Sequence, residues 1–237
     1  MNYFTHALPH LRDPAFIAGT ALPDWLSVVN RKVRVRTKTL SPFFESDDPF
    51  IAALATGAQR HLDDDGWFHG TRGFAEVTAE LGLLFRDRLG GTDGFRCGFL
   101  GHLTLELLLD AVLWERFPAE MDTYYELIAE VDAARVEAVV TQITGQNPEG
   151  LAWFIEHYRQ EEILRDYADD YRLARRLNQV LRRVKLAALP DEAPRWLAEA
   201  RLIVRVRVMD VLPATDYPWP GPASVSTAPL LTERLHP

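Results

Sequence analysis

The stretch 95–117 constrains this chain more than any other. Leu100, Leu103, Leu105, Leu107, Leu108 and Leu109 crowd its middle, and helical periodicity spreads them around the whole circumference. A helix that is apolar nearly all round has to be buried, so the rest of the chain must wrap it. Two residues in the stretch resist plain packing: His102 and Glu106, four apart. On a helix they project from one face with Cβ atoms about 5–6 Å apart. A buried glutamate without a partner is costly, and a divalent cation would supply one. The plain alternative is a hydrogen-bonded core histidine, and an isolated H-x-x-x-E does not decide between the two.

The same periodicity predicts helices along most of the chain. Asp13-Pro14 reads as an N-cap followed by proline at the first helical position. The helix it opens covers 16–22 and is expected to stop at Pro23. From Pro49, Ile51, Leu54, Ala55 and Ala58 share a face that leads to His61, Leu62 and Asp65. Further helices are expected over 74–88, 95–117, 119–144 (one or two), 148–188 and 190–211. Strand signals are sparse; residues 31–38 alternate basic and apolar or polar side chains and read as a short exposed strand or a basic loop. The expectation is an all-α chain of six to nine helices, a single helical domain over 1–212. The proline-rich stretch 213–237 is expected to be a tail, extended on the body or disordered.

Charge and composition remove several functions. With 26 Lys and Arg against 34 Asp and Glu, the net charge is −8, which argues against nucleic-acid binding by bulk electrostatics. The single Cys97 excludes a disulfide framework within the chain and reads as a packing residue. Residues 1–10 show no basic n-region and no apolar h-region. The apolar stretch 103–114 is interrupted by Thr104, Glu106 and Asp110 and falls short of the ~20 residues that span a bilayer. A soluble, cytoplasmic chain without a membrane span is expected. Phosphate-binding glycine loops and a serine-hydrolase elbow are missing from the sequence.

The histidines carry the chemistry. His61, Asp65 and His69 follow one another at intervals of four, and His102–Glu106 repeats the spacing. Two helices that each offer a histidine–carboxylate pair can enclose a cation between them, at ligand distances of about 2.0–2.2 Å. Against this, the run Asp63-Asp64-Asp65 also reads as a solvated helix end. His157 and Glu161 share the spacing but are flanked by Glu156 and Glu162, so they read as a solvated face. Residues 172–185 form a basic amphipathic helix whose default is to pack on the core.

The opening Met1-Asn2-Tyr3-Phe4-Thr5-His6, followed by Ala18-Gly19-Thr20-Ala21-Leu22-Pro23-Asp24, resembles the start of acyl carrier protein phosphodiesterases. These are HD-related, all-helical metalloproteins. Residues 57–69 are similar to their next motif, and His102 and Glu106 fall where that family has a pair of acidic residues. The ligand order is also similar to that of zinc-dependent phospholipase C and related single-strand nucleases. The chain departs from these patterns at Thr20, where an asparagine is usual, and lacks a histidine ligand between Asp24 and His61. The phospholipase-type enzymes use an amino-terminal amine as a ligand, which a chain that keeps Met1 is not expected to do. The resemblance covers roughly the first 110 residues.

It implies a metal-dependent phosphoester hydrolase, a phosphodiesterase above all. The ligand shell would be His6, Asp24, His61, Asp65, His69, His102 and Glu106, holding one or two ions among Mn, Fe, Zn and Ni. Asp65 or Asp24 would orient or deprotonate the attacking water, and His69 could act as a general acid instead of a ligand. Arg60, Arg72 and Arg183 are the arginines expected to bind the substrate phosphate. The substrate would be a small phosphoester or a phosphopantetheine-bearing protein. The alternative is a non-catalytic helical metal-binding or interaction protein with a structural or vestigial site.

Overall fold

A computed structural model describes residues 1–91 and 94–220. The chain is all-α: α1 (Tyr3–Ala7), α2 (Pro14–Val29), α3 (Thr37–Leu40), α4 (Pro49–Phe68), α5 (Arg72–Arg88), α6 (Gly94–Arg116), α7 (Pro118–Ala129), α8 (Ala133–Thr144), α9 (Leu151–Glu161), α10 (Asp170–Arg183) and α11 (Ala193–Val211). That is eleven α-helices among the described residues, more than the six to nine expected. The one-turn helices α1 and α3 are too short to leave a periodic signal.

Helix starts follow local chemistry. Asp13 accepts from the amides of Ala15 and Phe16, with Pro14 behind it. Asp48 does the same for Phe50, and Thr71 for Phe74. The expected stop at Pro23 does not occur, because α2 continues to Val29. Leu22, Trp25 and Leu26 are all buried, and their packing outweighs the one amide bond that proline removes. Residues 31–36 form no strand; they run irregularly into α3.

Helix α6 is the buried centre the sequence implies, with Leu100, Leu105, Leu108, Leu109 and Leu113 fully covered. Its 23 residues make it longer than the interrupted apolar stretch suggested, and long and apolar enough to cross a membrane. Most of it is instead packed inside this fold. Helix α2 lies along α4 and α5 along α6, while α11 closes over α5, α6 and α10. The first pair approach backbone to backbone at Gly19 and Gly57. A Cβ on Gly57 would collide with the Phe16 carbonyl, and one on Gly19 with the Leu54 carbonyl. That close approach sets His61, one turn after Gly57, against α2.

Helix α1 is held by one side chain. Asp110 of α6, fully buried, accepts from the Asn2 side chain (2.7 Å), the Phe4 amide (3.1 Å), and the Thr5 amide and hydroxyl (2.8 and 2.7 Å). Burial nevertheless pushes its carboxyl up to about 6. Beyond α11, Tyr217 is buried and donates its hydroxyl to the Thr5 carbonyl at 2.8 Å, while the Trp219 indole donates to the Leu212 carbonyl. This part of the expected tail lies on the body; positions 221–237 fall outside the described residues.

Candidate metal centre

Two groups of three potential ligands form near the amino terminus: His6, His61 and Asp65, and His69, His102 and Glu106. Within each, the ligand atoms lie within 4.8 Å of one another.

The first group is buried. His6 from α1 stacks on His61 from α4, ring centroids 4.0 Å apart. Each imidazole is held through Nδ1: His61 donates to the Thr20 carbonyl at 2.7 Å, and His6 lies 3.3 Å from Asp64 Oδ2. That leaves both Nε2 atoms facing Asp65, at 3.4 and 3.5 Å. These separations match the ~3.4 Å edge of a tetrahedron of ligands about 2.1 Å from a cation. His6 Nε2 has no hydrogen-bond partner although its side chain is wholly buried. A ligand histidine normally has its second nitrogen tied by a carboxylate or carbonyl, as here.

The second group is more open. His69 caps the end of α4, and its Nε2 lies 3.0 Å from Glu106 Oε1; His102 Nε2 lies 3.1 Å from the same oxygen. His69 therefore pairs with Glu106 and does not join the His6–His61–Asp65 group, as the intervals of four implied. Its own backbone is still helical, with its amide donating to the Asp65 carbonyl at 3.1 Å, but eight residues on it lies about 80° around the helix from His61.

Between the groups stands the Met1 amino nitrogen, 2.7 Å from Asp65 Oδ1 and 3.2 Å from Glu106 Oε1. Burial works against its charge, but Glu106 and Asp65 outweigh burial and raise its pKa. Burial likewise opposes ionisation of the two carboxylates, yet both are held well below the usual range. For Asp65 the His6 and His61 imidazoles prevail, and for Glu106 the ammonium and the two neighbouring imidazoles. His61 is raised, burial being overcome by Asp65 and Asp24. Asp24 is raised by burial, despite the pull of His61, His6 and the ammonium.

A cleft of about 590 Å³ opens beside the centre, lined by Asp24, His102 and Glu106 together with side chains from α9 and α10. The expected ligand shell thus gathers around one region, with Asp24 at the cleft. The expected phosphate-binding arginines do not behave alike. Arg183 lines the cleft. Arg60 instead pairs with Asp64 at 2.6 Å, and Arg72, 90% exposed, pairs with Glu76; neither lines the cleft. His157 and Glu161, read as a solvated face, line it as well, with His157 stacked on the exposed Trp153. Cys97 is buried in the core.

Sequence reasoning missed the Met1 nitrogen, Asp64 and Asp110. Only Asp64 left a signal. In the run of three aspartates, successive steps of about 100° around the helix send each to a different side. Exposed Asp63 accepts from Gln59, Asp64 bonds His6, and Asp65 faces the imidazoles. No family model matches the chain, and neither a curated protein nor a solved structure does.

Proposed function

We propose that this chain is a metal-dependent hydrolase of phosphoesters, acting on a phosphodiester. The observation that carries the reading is the convergence of two histidine–carboxylate groups, one buried and one open to a cleft. The mixed nitrogen and oxygen donors fit a divalent transition metal, and an open position is what a catalytic site keeps.

A bound cation lowers the pKa of a water and polarises a phosphoryl oxygen. The chain supplies the proton handling. Asp24, raised by burial and facing the cleft, takes a proton from the attacking water. His69, partly exposed and bonded to Glu106, returns one to the leaving oxygen. Asp64 and the Thr20 carbonyl keep the His6 and His61 rings turned so that Nε2 faces inward.

One observation favours a second reading. The Met1 ammonium bridges Asp65 and Glu106, so the centre can be held together by its own charges as a purely structural cluster. Hydrolysis of bis(p-nitrophenyl) phosphate by the purified protein with Mn, Zn or Fe separates the two. The hydrolase reading expects turnover in the wild type and none in His61→Ala or Glu106→Ala. Turnover of no diester, with or without bound metal, favours the structural cluster.

A further inference from the structure

Four arginines line the cleft: Arg31, Arg176, Arg182 and Arg183. They are not equivalent. Arg176 is tied to Asp166 and Glu161, and Arg172 and Arg175 of the same helix also turn to Asp166. Arg31, Arg182 and Arg183 meet no carboxylate among the described residues; Arg31 bonds only the Ser27 carbonyl. In a chain with an excess of eight acidic groups, such a cluster is notable because partners were available.

The charges around Arg183 sharpen the contrast. The charges that act on it include the Tyr3 and Tyr167 phenols and the Arg31 guanidinium. Burial and Arg31 together push it below its ordinary value. Guanidiniums that line one cleft without an anion repel, and an anion bound among them turns that repulsion into charge-assisted bonds. Tyr3, whose phenol is influenced by both Asp24 and Arg183, also lines the cleft. The same cleft is lined by apolar Phe99, Leu103, Phe154 and Val180 and by polar Ser27, Tyr158 and Gln179.

Resting on the hydrolase reading, we infer that Arg31, Arg182 and Arg183 form an anion subsite separate from the metal centre. The substrate class is then a small phosphodiester that carries a second phosphate. The scissile phosphate sits at Asp24, His102 and Glu106, and the second phosphate at the arginines.

Two arms test this. In the first, inorganic pyrophosphate is titrated calorimetrically into full-length protein stripped of metal and dialysed. The wild type and His61→Ala bind it alike, and Arg182→Gln/Arg183→Gln binds at least about tenfold more weakly. No binding to the wild type, or equal binding by the double variant, overturns the subsite. In the second, metal-loaded protein hydrolyses thymidine 5′-(p-nitrophenyl phosphate) with and without a 3′-phosphate. The 3′-phosphate lowers KM about tenfold in the wild type, and the double variant loses that advantage. Equal KM for both esters in the wild type overturns the substrate class. If neither ester is hydrolysed, the hydrolase reading and the substrate class fall together, and the pyrophosphate arm still decides the subsite.

Discussion

At the scale of single residues, the centre is a set of opposed charges. Asp65 and Glu106 are held below the carboxylate range by imidazoles and an ammonium that overcome burial. A carboxyl depressed in the folded state stabilises the fold above its unfolded pKa, about 4, and that gain is lost as pH falls through the folded value. The metal-free protein should therefore lose Tm below about pH 4. Glu106→Gln should melt lower than wild type at pH 7 and show a flatter acid limb, which thermal melts across pH will check. Asp110 carries a different load. Asp110→Ala strands four donors in the interior and should cost about 3–5 kcal/mol in urea denaturation. The i,i+4 pairs His61–Asp65 and His102–Glu106 were legible because one helix sets each. The stacking of His6 on His61, and the place of the Met1 nitrogen, depend on Asp110 docking α1, which no local spacing encodes.

At the scale of elements, the site depends on how closely helices approach. Gly57 lets α4 sit against the Phe16 carbonyl of α2, while Gly66, about two and a half turns on, has open space around it. Gly57→Ala should destabilise by about 1–3 kcal/mol through overpacking and pull His61 from Thr20. Gly66→Ala should stabilise by about 0.5–1 kcal/mol, since only helix propensity changes. Chemical denaturation of the two variants makes the comparison. Long helices were readable from periodicity because each has a buried stripe. The extension of α2 through Pro23 was not, because burial of Trp25 and Leu26 overrides a local rule. The partner of His69 was also hidden. Intervals of four made it look like a third ligand on the His61 face, whereas the packing of α6 brings Glu106 to it.

At the scale of the whole molecule, α6 organises the rest. It contributes His102 and Glu106 to the centre and Asp110 to the anchor of α1, all within two and a half turns. The pairs α2–α4 and α5–α6 then bring the remaining ligands to it. Tyr217, reaching back to Thr5 from beyond α11, closes the same region from the other end of the described chain. The all-α architecture follows from composition and period; the cleft does not, since it is made by α2, α6, α9 and α10 meeting.

The central claim is that this convergence holds a cation. Elemental analysis of the protein purified after exposure to Mn, Zn and Fe, with His61→Ala and Glu106→Ala alongside, tests it most directly. The account predicts stoichiometric metal in the wild type and loss of metal in each variant. A wild type that retains no metal, or variants that retain as much as it does, would contradict it.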